Sequence, residues 1–477
     1  MIIKKILIYL GVTILALIMA YFIWMAVLMI GTITPFKGFS LTVLLILFIL
    51  LFAIILFFSI VLRERNRTKV LLYLIGAVIV FFLICFFVSD WVLQNQVNDL
   101  KKSFEKMGYP LDIETLGVVP EDSNAAPVYE RAIDLLKDSE PIAFLDVLHE
   151  TIGNIQLSRE DFKILEKWVR DNQTVMEKLK DIEKYPKFRY REYAEYQYRL
   201  YALPLMKLIK IRKLAELLIA NVIVDIRYEN PKMAQSSFEK LAHLVNSLRQ
   251  EYSLIYSLIA MRITIETFSL CGYELLHSKE PIISFAMIDD LADSSFISKG
   301  LYGEALYIYY FHGKPTAAPV LYFGLDHFVK TFKREYLTVL RDVLKLLREN
   351  TFYPDEQIKR LKTSIKNLPE FPYGIFSFPN FERFLQAEYE YKTTISLLHI
   401  LLALTISKKH TGAFPENLQM LVNDGLIKVI PNDVLSGKPF IYRKEKDKVI
   451  VYSVGANMCD DGGDFKNNKD IGYLLLF

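Results

Sequence analysis

The stretch that decides the fold is residues 205–248, LMKLIKIRKLAELLIANVIVDIRYENPKMAQSSFEKLAHLVNSL. Apolar residues recur in it at steps of three and four, as they do on one face of a helix. The two stripes are Leu208, Ile211, Ala215, Leu218, Val222 and Ile226, then Ala234, Phe238, Leu241, Val245 and Leu248. Between them, Asn230 is typical of a helix N-cap and Pro231 of a first helical residue. The stretch predicts two antiparallel helices joined by a short turn.

The same helical pattern runs from residue 94 to about residue 410. Helix pairs with an Asn-Pro turn and an alanine on the second helix resemble tetratricopeptide-type hairpins, although no clean 34-residue repeat is found. Two arrangements stay open for this region, namely a solenoid-like right-handed stack of hairpins and a globular helical bundle.

Three segments near the N-terminus carry no charged residue: residues 6–30, 39–62 and 70–89. Each reaches the roughly 20 apolar residues that a helix needs to cross a bilayer. They predict three transmembrane helices within residues 1–93. The alternative for the first segment is a cleaved signal peptide, but its apolar run is longer than is usual for one.

Basic residues in the short loops predict the orientation. They are Lys4 and Lys5 before the first segment, and Arg63, Arg65, Arg67 and Lys69 between the second and third. The positive-inside rule puts both clusters in the cytoplasm. We therefore expect a bacterial cytoplasmic membrane protein with the lipid bilayer as a partner and residues 94–477 outside. The predicted spans hold no ionisable residue, which favours an anchor over a transport path.

The charge balance of the remaining chain excludes one class of partner. Residues 94–477 contain 50 basic and 52 acidic residues. A nearly neutral region lacks the basic footprint that nucleic acid requires, so we expect no nucleic-acid partner. With 52% hydrophobic residues and 3 cysteines, the chain is neither disordered nor a disulfide-stapled secreted domain.

The C-terminal region changes character. A long helix is expected over 380–409 and ends at Gly412. Strands are expected over 439–443, 448–453 and 470–477 as an antiparallel sheet packed on that helix. The predicted fold is therefore mainly α, divided into a transmembrane anchor (1–93), a helical extracytoplasmic domain (94–378) and a small α/β lobe (379–477).

Within this lobe, an acidic loop precedes the last strand. Asp460, Asp461, Asp464 and Asp470 lie within eleven residues, and Gly462-Gly463 lets the backbone turn. Calcium takes six to eight oxygen ligands, including carboxylates, so the loop is a candidate calcium site. The alternative is a solvated acidic loop with Lys466 and Lys469 as counter-charges.

The lobe resembles the C-terminal lobe of the major pseudopilin of type II secretion. The residues that carry the resemblance are Gly412-Ala413-Phe414-Pro415, Leu418, Leu421, Tyr442, Tyr452-Ser453-Val454-Gly455, Asp461-Gly462-Gly463 and Asp470-Ile471. The resemblance implies a calcium ion bound by Asp470 and Asp461, with Asp460 and Ser453 as further ligands. The chain departs from that family at Asn457, where the family has an aspartate, and at Val434, which replaces a proline.

The segment 120–129, with Asn124-Ala125-Ala126, is similar to uncharacterised membrane-anchored bacterial proteins, a closer likeness that implies no activity. We predict a membrane-anchored cell-envelope protein with a structural or protein-interaction role and an envelope protein as partner. One alternative is an accessory component of a secretion or pilus-like assembly. The other is an envelope enzyme with an unrecognised site, which a deep pocket of converging polar groups would favour. The sequence contains no catalytic motif: after His149-Glu150, the position that a zinc protease fills with its second histidine is Gly153.

Overall fold

The protein is mainly helical and carries a small three-stranded antiparallel sheet near its C-terminus, as predicted. The computed structural model describes residues 64–137, 159–189, 205–277, 282–310, 319–349, 352, 355–366, 381–446, 448–465 and 469–476. The first helices are α1 (Glu64–Lys106), α2 (Ala126–Asp134), α3 (Arg159–Asp171), α4 (Gln173–Lys178), α5 (Leu205–Arg227), α6 (Pro231–Leu248) and α7 (Leu254–His277). They are followed by α8 (Phe285–Ala292), α9 (Ser295–Tyr310), α10 (Pro319–Glu349), α11 (Asp355–Lys366), α12 (Phe381–Thr411) and α13 (Gln419–Asn423).

Helices α5 and α6 form the hairpin that the sequence predicts. The Asn230 side chain caps α6 by accepting the N–H of Met233 at 3.3 Å, and Pro231 is the first residue of the helix. The two apolar stripes meet between the helices, where Leu218 and Leu241 are both buried. Helix α7 then packs against both members of the hairpin.

Helix α12 is the central element of the larger unit. It contacts α7 and α8 as well as strands β2 and β3, whose bounds follow below. Residues Leu397, Leu398, Ile400 and Leu401 are all buried, so most of the helix surface is covered in this part. It ends at Gly412, whose φ of +80° suits a glycine and whose N–H bonds to the Lys408 carbonyl. The predicted C-terminal glycine of this helix is confirmed.

The sheet has the order β1 (Ile441–Lys444), β2 (Lys448–Ser453), β3 (Ile471–Leu476), with both pairs antiparallel. Tyr452 lies opposite Ile441 on one side and opposite Gly472 on the other. We expected β2 to bury one face only. In the structure, Val449 to Ser453 are all buried, because α12 covers one face and the acidic loop covers the other.

Contacts divide the chain into two compact units. The first contains α1 together with residues 319–338 of α10, and the second contains the sheet and the other helices named above. In the first unit, the Phe86 ring of α1 lies 5.8 Å from the His327 ring of α10. Asp90 accepts a hydrogen bond from Lys330 Nζ at 2.7 Å.

The prediction of a transmembrane helix at 70–89 is wrong. Among the described residues, no helix combines the length and the apolar character needed to cross a membrane. The apolar run lies within the 43-residue helix α1, one side of which packs on α10 through Phe86 and Asp90. The absence of charge predicts a helix exposed to lipid on every side, whereas Phe86, within this run, packs against protein.

The predicted spans at 6–30 and 39–62 lie outside the described residues. The location of residues 94–477 outside the cytoplasm and the contact with a lipid bilayer stay predictions. So do the domain boundaries at residues 93 and 378.

Candidate functional site

The acidic loop between β2 and β3 is organised around the buried carboxylate of Asp470. Its Oδ2 accepts the backbone N–H groups of Gly463 at 2.8 Å and Asp464 at 3.1 Å, and its Oδ1 accepts that of Asp461 at 3.4 Å. Burial raises the pKa of Asp470, and the three N–H donors oppose that rise. The side chain therefore closes the loop on itself.

The loop also lies on the outer face of β2. Gly462 and Gly463 have φ values of +77° and +84°, which only glycine adopts readily. A Cβ atom on Gly463 would lie 3.5 Å from Ile450 Cγ2, so the backbone runs directly over the strand. The Phe465 ring lies 6.3 Å from the Tyr452 ring. The loop is therefore a cover for the sheet.

The other predicted ligands are held by nearby donors as well. Asp460 accepts the Tyr452 hydroxyl at 2.8 Å and the N–H of Gly462 at 2.9 Å, and these two bonds lower its pKa. Asp461 accepts the Asn457 amide at 2.7 Å, and Ser453 Oγ accepts the N–H of Gly455 at 3.1 Å.

These hydrogen bonds occupy some of the acceptor positions of the four predicted ligands. Within the described residues, no group of three or more histidine, cysteine, aspartate or glutamate side chains is arranged to hold a metal ion. Lys469 pairs with Asp464 at 3.2 Å, as the alternative of a self-neutralised loop expects, while Lys466 lies outside the described residues. Calcium binding gains no support from this geometry and stays a prediction.

A cleft of about 900 Å³ borders α12, and the sequence did not predict it. Four segments line it: α8, the end of α10, the middle of α12, and the loop after α13. The lining residues are Phe285, Asp289 and Ala292; Leu347 and Arg348; Tyr391, Lys392, Ile395, Ser396 and His399; and Gly425 to Val429 with Pro431 and Val434.

Helix periodicity explains why α8 and α12 present these side chains together. Ser284 caps α8 by accepting the N–H of Met287, and Ile288 and Leu291 are buried. Phe285 and Asp289, four residues apart, therefore share a face that borders the cleft. On α12, Lys392, Ser396 and His399 follow one another at steps of four and three.

The loop after α13 is held in place by Asp433. This buried carboxylate accepts the N–H of Leu435 at 3.0 Å and the Ser436 hydroxyl at 2.5 Å. It also accepts the Thr393 hydroxyl of α12 at 3.3 Å. The wall of the cleft formed by residues 425–434 is thus tied to the helix that forms its base.

Lys392 is held at the cleft by two contacts. Its ammonium lies 2.6 Å from Glu388 Oε1, one turn earlier on α12, and 5.1 Å from the centre of the Tyr389 ring. Glu388 is 2% exposed and Lys392 is 23% exposed. Burial raises the pKa of the Glu388 carboxyl, and the nearby Lys392 ammonium opposes part of that rise. A buried carboxylate therefore holds the lysine at the cleft wall.

His399 and Asp289 form a second pair in the cleft. The Nε2 atom of His399 lies 2.8 Å from Asp289 Oδ1, and its ring stacks on Phe285 at 6.2 Å. The Nδ1 atom faces the Ile395 carbonyl at 3.2 Å. Both ring nitrogens are thus directed at oxygen acceptors, and neither is directed at Ser396.

This arrangement is unlike that of a hydrolase. Serine, histidine and aspartate are all present, but nucleophilic catalysis needs the histidine to take the proton of the serine hydroxyl. The phenol of Tyr391, whose pKa burial raises to about 12, donates to the Leu291 carbonyl at 2.5 Å and is not available as an acid.

The cleft was missed because its residues come from positions 285 to 434 and no two of its four segments are adjacent in sequence. One signal was available: three polar residues, at 392, 396 and 399, lie on a single face of the helix. No family model, no curated protein and no solved structure matches this chain. The resemblance to the pseudopilin lobe stays a prediction.

Proposed function

We propose that the protein is a protein-interaction module that docks a segment of its partner in the cleft beside α12. The observation that carries this proposal is the composition of the cleft. Apolar side chains from four segments line it, and they include Val429, which is 71% exposed. A concave site lined mainly by apolar side chains, with a few polar groups among them, is typical of a binding site.

Two observations favour docking over catalysis. The ring nitrogens of His399 both face acceptors, so the histidine does not activate Ser396. Lys392 is paired with Glu388, so it lacks the apolar isolation that activates a nucleophilic lysine. The proposal retains the predicted interaction role and leaves the identity of the partner open.

Selection of binding peptides tests this proposal. The full chain would be used to select from a phage library of random twelve-residue peptides, and selected peptides would be titrated against variants. We expect Val429→Asp to weaken binding at least tenfold, because it puts a charge among the apolar side chains of the cleft. Val118→Asp is the matched control, since Val118 is 95% exposed and is not a lining residue.

Equal binding by the wild type and Val429→Asp would overturn the proposal, as would a selection that enriches no peptide. Loss of binding in Val118→Asp to the same extent would do so too. Hydrolysis of a selected peptide by the wild type, abolished in Ser396→Ala, would favour the enzyme alternative.

A further inference from the structure

Among the described side chains that line the cleft, basic residues outnumber acidic ones, and one of the basic residues, Lys392, is paired with Glu388. Arg348, Lys392 and Lys428 line it from three different segments, whereas Asp289 is the one acidic residue among the lining side chains of the described chain. That carboxylate is already paired with His399 at 2.8 Å. The cleft therefore offers cationic groups, and its apolar walls strengthen their field toward an approaching anion.

The ammonium group of Lys392 is oriented in advance for contact with an anion. An ammonium carries three donors, and Glu388 accepts one of them. The pair with Glu388 and the position over the Tyr389 ring fix the side chain at the cleft wall before any ligand binds. Binding an anion there costs less side-chain entropy than binding one to a flexible surface lysine.

The shape of the cleft favours a peptide over a small amphiphile. The segment 425–429 forms an open rim, with both Lys428 and Val429 exposed to solvent. An enclosed apolar channel suits the single chain of a fatty acid, whereas an open rim leaves room for an extended peptide to pass along it. In an extended chain, successive side chains point to opposite sides. Apolar and acidic side chains in alternation would therefore meet the apolar wall and the basic groups separately.

Building on the proposed function, we infer that the docked segment is an extended acidic peptide, with a carboxylate bound at Lys392 and neighbouring apolar side chains bound along Ile427 and Val429. Arg348 and Lys428 contribute long-range attraction to the same segment. Lys392 is the contact that distinguishes acidic from neutral segments.

The test uses three labelled nine-residue peptides in which leucine alternates with glutamate, glutamine or lysine. Fluorescence polarisation measures their binding to the full chain at low salt. We expect the glutamate peptide to bind at least tenfold more tightly than the glutamine peptide, and the lysine peptide to bind most weakly. The preference for glutamate should shrink as salt is raised, since the groups at the rim are exposed.

Variants assign the preference to Lys392. Replacing Lys392 alone would leave Glu388 buried without its partner, so the informative protein is the double variant Glu388→Gln/Lys392→Met. We expect it to lose most of the preference for glutamate, whereas Glu388→Gln alone keeps it. Lys232→Met, which removes an exposed lysine of α6, is the charge-matched control and should bind as the wild type does.

The outcomes separate this inference from the proposed function. If glutamate and glutamine peptides bind equally and Val429→Asp abolishes both, the cleft is a docking site without acidic specificity, and the inference is wrong. If Val429→Asp changes nothing, the proposed function fails first. Displacement of the glutamate peptide by sodium decanoate at a lower concentration than that of the unlabelled peptide would identify a fatty-acid site and overturn the inference.

Discussion

The acidic loop and the cleft are two charged regions of the same unit, and they use their charges in opposite ways. In the loop, Asp470 directs both oxygens inward to backbone N–H groups, and Asp460 is held by Tyr452 and Gly462. In the cleft, Lys392 is anchored from behind by Glu388 and faces the open space. The loop is dense in charge along the sequence, and the cleft is assembled from distant segments.

This difference separates structural charges from functional ones. A carboxylate that accepts backbone N–H groups of its own loop stabilises that loop. An ammonium group that is oriented by a buried carboxylate and borders a cavity still has N–H donors for a ligand. Four predictions follow from this contrast, and each asks whether a given side chain acts on stability or on binding.

The largest effect is expected at Asp470. Asp470→Ala leaves the N–H groups of Asp461, Gly463 and Asp464 without their acceptor, and hydrogen bonds to a charged group are worth about 1.5–3 kcal/mol each. Since the loop can relax toward solvent, we expect a loss of about 3 kcal/mol in the free energy of unfolding. Urea denaturation followed by tryptophan fluorescence and circular dichroism measures it.

Asp464→Asn is the matched control for this prediction, because Asp464 makes an exposed pair with Lys469. An exposed pair contributes about 0–1 kcal/mol, so this variant should be close to the wild type. Equal losses in the two variants would contradict the structural role of Asp470. A loss in Asp470→Ala that appears with calcium and disappears with chelator would instead assign the loop to metal binding.

The second effect concerns the Glu388–Lys392 pair. Lys392→Met leaves a carboxylate that is 2% exposed without its cation, and we expect a loss of about 2 kcal/mol at pH 7. Burial raises the folded-state pKa of Glu388 above its ordinary value of 4.5. Protonated Glu388 is therefore favoured by folding, and its contribution to stability is full below pH 4.5 and lost as the pH rises through the folded-state pKa.

The loss in Lys392→Met should consequently shrink as the pH is lowered from 7 toward 5. Adding Glu388→Gln should recover much of it at pH 7, since the double variant buries no charge. Unfolding curves at several pH values for the wild type, both single variants and the double variant provide the thermodynamic cycle. A loss that does not change with pH would mean that Glu388 is not the group left unpaired.

A third, smaller effect is expected at Asp433, which ties the cleft wall to α12. Asp433→Asn keeps one acceptor for Leu435 and Thr393 but turns an amide group toward the Ser436 N–H. We expect a loss of about 1.5 kcal/mol in stability. Because the 425–434 wall is tied to α12 through this residue, binding of a cleft peptide should weaken as well. Intact binding with reduced stability would show that the wall is positioned without Asp433.

Much of the fold could be predicted from local patterns. The α5–α6 hairpin follows from apolar residues at helical spacing and from Asn230 and Pro231, and all of these signals act within a few residues. The strands near the C-terminus were predicted to within two residues of their observed ends. The interpretation of 70–89 as a membrane span failed because an uncharged run does not reveal which side of a helix packs on protein.

The site could not be predicted in the same way. Asp289 and His399 are 110 residues apart, and their pairing depends on how α8 packs on α12. The acidic loop was easy to identify in the sequence because its aspartates are close together. The three donors around Asp470 are backbone N–H groups, however, and residue types do not reveal them. Residues that are close along the chain therefore identified a structural loop, whereas the cleft could be recognised only from the tertiary fold.

The smallest effect is expected at Asp289, where the comparison is sharpest. Asp289 is 70% exposed and paired with His399, so Asp289→Asn should change the free energy of unfolding by less than about 0.5 kcal/mol. The same substitution removes the acidic charge that opposes Lys392, Arg348 and Lys428. An acidic cleft peptide should bind about threefold more tightly, about 0.6 kcal/mol, and this gain should vanish at high salt. Fluorescence polarisation at two ionic strengths measures the gain, and thermal denaturation measures the stability. Weaker binding of the acidic peptide would show that the His399–Asp289 pair itself shapes the site, and the cleft would then resemble the acidic loop in using its carboxylate for structure.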